Sequence, residues 1–262
     1  MDEKAEKIRL IKSRELDEVY TIIYVVKNKI KYNTQDKLVS KNLYSFMGIN
    51  NLGYRTIIDM VIERENDNHF WLDTFESFKA RGVKKILFIS IESNNKISRA
   101  IKISFPETII TISLTNIIYS IYKYVDCRGR NVFIKQIKNL CVQNSLEEFN
   151  NKVNIFKERY KNNYIVSAII DSNISIFESY YNYSINIRKF LFNHYRISYL
   201  YDMINKYSKK SYINHINDLW DRLYDSIVYI EQYKSYTKKN WANVLNELYL
   251  LFPNDLEYLI KE

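Results

Sequence analysis

Only four glycines and two prolines punctuate the 262 residues of this chain. These are the residues that most readily interrupt helices and strands. So few over such a length predict long regular elements with short connections, and argue against a disordered polypeptide. The hydrophobic share, 47%, is enough to bury a real core, in one large domain or one domain with a sizeable insertion.

The apolar period changes along the chain. Residues 18–30, EVYTIIYVVKNKI, are rich in β-branched and aromatic residues and read as a strand. A polar turn around Asn33-Thr34-Gln35-Asp36 precedes a second strand over 38–50. Asn51-Leu52-Gly53 makes a short turn into a third strand over 54–63, which completes an antiparallel meander. Phe70, Leu72, Phe75 and Phe78 are then spaced for a helix that stops at Arg81-Gly82. Residues 83–91, VKKILFISI, form the kind of short apolar run found in strands buried on both faces. A helix over 96–105, a strand over 108–112 and a helix over 115–125 follow. From Arg128 onward the periodicity is helical, with candidate helices over 132–141, 146–161, 187–207, 213–233 and 240–252. The expected class is α/β: a mixed sheet with flanking helices and a long helical insertion and C-terminal extension. The strand-rich core would occupy residues 1–126, the helical insertion 127–186, and helices completing the core 187–262.

The net charge of +9 suits an anionic partner. The chain is also crowded with Ile, Asn, Lys and Tyr, all specified by AT-rich codons, so codon composition is a second source of the lysine excess. Cys127 and Cys141 lie far apart, and His69, His194 and His215 are scattered, which predicts neither a zinc site nor a disulfide framework. The opening MDEKAEKIRLIKSRELDEV has no apolar signal-peptide core. No window approaches the ~20 uninterrupted apolar residues of a membrane span. A cytoplasmic protein with no membrane partner is expected.

The order of elements is compatible with a ribonuclease H-like fold, and local sequence adds a more specific signal. The segment from His69-Phe70-Trp71-Leu72 to Lys79-Ala80-Arg81-Gly82-Val83-Lys84 resembles the FWL…LK-RGVK segment of Mutator-type bacterial insertion-sequence transposases. Phe105-Pro106 falls where that family has an FP pair, and Lys123-Tyr124-Val125 matches its Lys-Tyr-Val ending. Gly48-Ile49-Asn50 with Gly53-Tyr54-Arg55 is similar to the family's second and third strands. Asn240-Trp241, Leu245-Asn246 and Phe252 resemble its C-terminal pattern. The matches cover nearly the whole chain in the family's order. The family's N-terminal DNA-recognition region has no counterpart in these residues.

The resemblance implies DNA transposition by a DDE triad, in which three carboxylates hold two divalent cations that activate the attacking oxygen and stabilise the leaving one. Position by position, the match puts Thr21 at the first carboxylate, Glu92 at the second and Ser198 at the third. The family's Cys-x-x-His becomes Ser113-Leu114-Thr115-Asn116. One carboxylate of three remains, and neutral side chains substitute poorly for carboxylates around Mg²⁺. The expectation is a transposase-family protein with a degenerate triad, catalytically inactive, with no metal or cofactor. It would be a remnant or a repurposed DNA-binding module that holds duplex DNA weakly and without sequence preference. For DNA contact the candidates are Lys27, Lys29 and Lys31, which alternate along one strand and so share a face, then Arg128 and Arg130, then Arg188 and Lys189. Each has a solvated face as its alternative. Tyr180-Tyr181-Asn182-Tyr183 offers either base-stacking surfaces or packing. Two other readings stay open. One is an active Mg²⁺-dependent transposase using displaced carboxylates: Asp17 or Glu18, Glu92 and Asp202. The other is a helical interaction or regulatory protein, with a homo-oligomer possible and no nucleic-acid role.

Overall fold

The computed structural model describes residues 9, 12–34, 37–64, 67–91, 95–113, 117–118, 121, 124–191, 220, 224, 227, 241–255, 257 and 260. Contacts divide the chain into two compact units. One comprises Met1–Thr111, Tyr195–Trp241 and Phe252–Glu262; the other comprises Ile112–His194 and Ala242–Leu251.

The first unit is built on a five-stranded mixed sheet. Its meander is β1 (Val19–Thr34), β2 (Lys37–Asn50) and β3 (Arg55–Ile62), each antiparallel to the next. β4 (Lys85–Ile91) lies parallel to β1, and β5 (Ile109–Ile112) flanks β4, giving the order β3-β2-β1-β4-β5. The pairing of β1 with β4 covers only Val19 to Tyr24, whereas its pairing with β2 continues to Thr34. The hairpin therefore overhangs, from Val25 onward, the part of β1 that β4 supports. The meander matches the expectation, with β1 longer than residues 18–30 allowed.

Helices α1 (Phe70–Ala80) and α2 (Asn95–Ser104) cover one face of this sheet. α1 presents Phe70, Trp71, Phe75 and Phe78 at helical spacing. Trp71 meets Tyr44 edge-on at 4.6 Å between ring centroids, and Phe78 meets Phe46 at 5.1 Å. Perpendicular ring pairs set the positive edge of one ring against the negative face of the other. α2 contributes Ile97, Ala100 and Ile101 to the same core. The opposite face is also buried, with Ile22, Tyr24, Met47 and Phe88 within it, and the Phe88 ring meets Phe252 at 5.4 Å.

The Arg81-Gly82 pair that ends α1 has a local explanation. Gly82 sits at φ 109, in a region that favours glycine. A Cβ there would also come within 3.1 Å of the Leu16 carbonyl. Arg81 reaches back across the unit. Its Nε donates to the Arg14 carbonyl at 3.1 Å, one Nη donates to the Ile58 carbonyl at 3.0 Å, and the other lies 3.4 Å from Asp59. The Leu16 N–H donates to the Arg81 carbonyl at 2.7 Å. The turn between β2 and β3 is pinned similarly. Gly53 is at φ 84 beneath the Trp241 ring, and the indole N–H donates to the Asn51 carbonyl at 2.9 Å.

The second unit is helical. α3 (Arg130–Leu140), α4 (Leu146–Arg159), α5 (Tyr164–Ser179) and α6 (Ile185–Leu191) precede α7 (Trp241–Leu251), which begins on a residue of the first unit. Phe133, Ile137, Phe149, Val153, Phe156, Val166, Ile170 and Phe177 form its core. Ser145 caps α4 by accepting the Glu148 N–H at 3.1 Å, and Glu148 in turn accepts the Asn144 N–H at 3.0 Å. The described residues after 130 contain no strand, as the change of period predicts. α5 was not among the expected helices. Its sequence, YIVSAIIDSNISIFES, has isoleucines on more than one face, so no single stripe stands out. Most of the helix expected over 187–207 lies outside the described residues, as does most of the one over 213–233. No helix among the described residues is long and apolar enough to cross a membrane.

Candidate nucleic-acid interface

Thr21 is fully buried in β1 at the point where the β1–β2 register shifts. Its hydroxyl donates to the Ile49 carbonyl at 2.9 Å, with the Asn50 carbonyl at 3.4 Å. In the parallel ladder Tyr20 faces Ile86 and Ile22 faces Phe88, so Thr21 stands level with Leu87. That is four positions, or about 13 Å of extended strand, before Ile91 at the end of β4. Glu92 and Ser198 lie outside the described residues, as does Asp202. Of the displaced carboxylates, Asp17 is exposed, and Glu18 is engaged with Lys84 at 2.5 Å. Among the described residues no three His, Cys, Asp or Glu side chains gather as a metal would require.

One carboxylate that the reading of the sequence did not single out is buried within the sheet. Asp59 interrupts the apolar run of β3 and is 7% exposed. Burial raises its carboxyl above the usual range, outweighing the opposing pull of the nearby cations Lys12, Arg81 and Arg14 and the Met60 N–H bond. A charged residue inside an apolar strand was the visible clue, and its partner Arg81 lies 22 residues away in sequence.

Lys27, Lys29 and Lys31 alternate in β1 opposite Tyr44, Asn42 and Ser40 of β2, and therefore share one face. It is the face on which Val25 and Tyr44 enter the core beneath α1. Lys27 is half-buried, its ammonium 5.9 Å from the Tyr44 ring centroid, while Lys29 and Lys31 are exposed. Beside them opens a cleft of about 400 Å³. Its cations are Lys29 and Lys41 from the hairpin, Arg64 after β3, and Lys96 from the first turn of α2; its acids are Glu63 and Asp67. The acids are held locally. Glu63 accepts from the Asn42 amide at 2.6 Å, and Asp67 lies 3.1 Å from Arg64, which also reaches Asp73 at 3.5 Å.

The remaining basic candidates fall in the second unit. Arg128 is exposed, and Arg130 is half-buried with its Nε donating to the Val125 carbonyl at 3.1 Å. Arg188 is neither on a solvated face nor turned outward: it is 3% exposed. It donates to the carbonyls of Tyr183 at 3.2 Å and Gln143 at 2.8 Å, and its guanidinium lies 4.1 Å over the Tyr181 ring. Lys189 beside it is exposed. The tyrosine-rich segment packs inward: the Tyr180 hydroxyl donates to the Ile112 carbonyl at 2.6 Å, and Tyr181 donates to the Leu140 carbonyl. The structure thus groups Lys29 with Lys41, Arg64 and Lys96 around one cleft, while Lys27 and Lys31 share its face of β1 without lining that cleft. Lys41, Arg64 and Lys96 were not singled out from sequence, because their proximity arises only when the sheet forms.

Residues 1–218 match the family model described as "Transposase, Mutator family". Curated relatives bear insertion-sequence names. A probable transposase from Corynebacterium diphtheriae is 20% identical over 49% of this chain and 38% of its own length. An ISRM3-like probable transposase from Sinorhizobium fredii is 21% identical over 61% of this chain and 40% of its own. The ISRM3 transposase of Rhizobium meliloti is 21% identical over 56% and 37%. The matched part of the chain thus spans about two-fifths of the length of these relatives.

Proposed function

Because the chain belongs to the Mutator family of transposases, we propose that it is a ribonuclease H-like transposase core that holds duplex DNA but has lost the carboxylate set needed to cut and join it. The sheet order β3-β2-β1-β4-β5, with β4 parallel to β1, supports the fold assignment. The observation that carries the loss of chemistry is Thr21. A divalent ion in a DDE site needs hard anionic oxygen ligands. The residue that the family resemblance puts at the first ligand position is neutral, fully buried, and already donating to a backbone carbonyl. It does not fit a Mg²⁺ ligand, and no catalytic step through such an ion follows from it.

DNA binding in this reading comes from phosphate neutralisation by lysine and arginine, which carries no sequence information. The expected affinity is micromolar or weaker at physiological salt, with poor sequence preference. The test is incubation of purified protein with duplex DNA in Mg²⁺ or Mn²⁺, scoring nicking and strand transfer. The expected result is no metal-dependent product. Strand transfer that disappears in Glu92→Gln would overturn the reading in favour of an active enzyme using displaced carboxylates.

A further inference from the structure

We propose that the outer edge of β1, where it runs on past β4, takes an added β-strand from an acidic protein segment in which carboxylates alternate with β-branched residues. This interaction surface lies beyond the transposase reading above and stands on the sheet rather than on that reading.

Three features carry it. First, β1 is a central strand at its start and an edge strand beyond. β4 pairs with it only from Val19 to Tyr24, whereas β2 pairs with it to Thr34. Among the described residues, positions 28–34 bond through their backbone to β2 and to nothing else. Alternate N–H and C=O groups therefore point away from β2 over roughly 20 Å of extended strand, a ready template for one more strand. Second, the other edge of the meander is covered by the protein's own side chains. In β3 the Ile57 carbonyl accepts from Arg14 and the Ile58 carbonyl from Arg81, while the Met60 N–H donates to the Asp59 carboxylate at 2.7 Å. Third, charge selects the occupant. Lys29 and Lys31 are exposed on one face of the open stretch, and neither has an ion-pair partner among the described residues. Two copies of β1 joined by this edge would set lysine rows beside each other, and like charges opposite one another destabilise a sheet. Carboxylates at every second position of an added strand would instead stand about 5 Å from these lysines. On the opposite face the neighbours would be Asn28, Ile30 and Tyr32, all buried. Asn28 is 1% exposed, with neither its amide oxygen nor its amide nitrogen hydrogen-bonded. A threonine there offers a hydroxyl to that amide and a methyl to Ile30.

The experiment measures fluorescence anisotropy of a labelled ten-residue peptide alternating glutamate and threonine, titrated with the full chain, wild type or Lys29→Glu/Lys31→Glu. Both substituted side chains are exposed, and thermal melts verify folding. Saturable binding is expected, weakened about tenfold or more by the charge reversal. The reversed variant should instead bind the peptide with lysine in place of glutamate. Two further acidic peptides carry N-methyl groups on alternate amides, one on the odd set and one on the even. Only one of them should lose binding, because an added strand bonds β1 along one edge. The proposal is overturned by absence of saturable binding, by equal effects of the two methylation patterns, or by failure of the exchanged charges to pair. It is overturned too by a wild-type dimer, in sedimentation velocity, that the acidic peptide dissociates, which would assign the edge to a second copy. A thymidine oligonucleotide provides the remaining arm. If it binds and loses affinity in the charge-reversed variant while the peptide does not bind, the lysine pair belongs to nucleic acid and the proposal falls.

Discussion

At the scale of single residues, the most demanding feature is the buried pair Asp59–Arg81, with side chains each 9% exposed. A buried carboxylate loses its hydration, and one cation 3.4 Å away returns only part of that cost, so the carboxyl's affinity for protons rises. The raised value means the folded state binds a proton more readily than the unfolded chain. The corresponding stabilisation is therefore complete below the unfolded carboxyl's ordinary value, near 4, and is lost as pH rises through the folded value. In urea unfolding at pH 7 and at pH 4, the stability of the wild type relative to Asp59→Asn should increase on acidification. A difference that shrinks would show that Arg81, rather than desolvation, governs the carboxyl. Thr21 and Arg188 teach a related lesson. In sequence each is one polar residue among many; only the structure shows Thr21 bonded within the sheet and Arg188 held by two carbonyls and a ring.

Elements were readable from sequence wherever one face differed from the other. β1, β2 and β3 announce themselves by β-branched runs between polar turns, and α1 by aromatics at helical spacing. The parity of Lys27, Lys29 and Lys31 could be read for the same reason, since a strand's period of two is fixed by its pleat. α5 escaped because its isoleucines surround it, and the cleft escaped because its cations come from separate stretches of chain. One long-range contact left a trace in sequence, the Asn240-Trp241 pair. Trp241 covers the turn that joins β2 to β3 and donates to Asn51. Trp241→Phe keeps an aromatic ring over Gly53 and removes that hydrogen bond. A loss of about 1 kcal/mol is expected, read as a lower urea midpoint with unchanged m-value. A loss of several kcal/mol would mean that the phenyl ring fails to replace the indole's packing.

At the scale of the whole molecule, the proposed loss of the carboxylate set would leave a thermodynamic signature independent of any DNA assay. A divalent ion bound with a dissociation constant of 1 mM would stabilise the fold by about 1.4 kcal/mol at 10 mM. Melting in 10 mM MgCl₂ should therefore match melting in NaCl of equal ionic strength. A rise that vanishes in Glu92→Gln would reinstate a metal site. The Arg81-Gly82 clamp carries a different implication. The residues through which the chain is recognised as kin are occupied with architecture: Phe70 and Trp71 in the core, Arg81 tying α1 to β3, Gly82 in a turn where a side chain would crowd Leu16. Selection on folding alone would preserve them after selection on chemistry had ceased. Kinship read from such a signature is evidence of shared descent and shape, and a genome searched with it will return retired and working transposases alike.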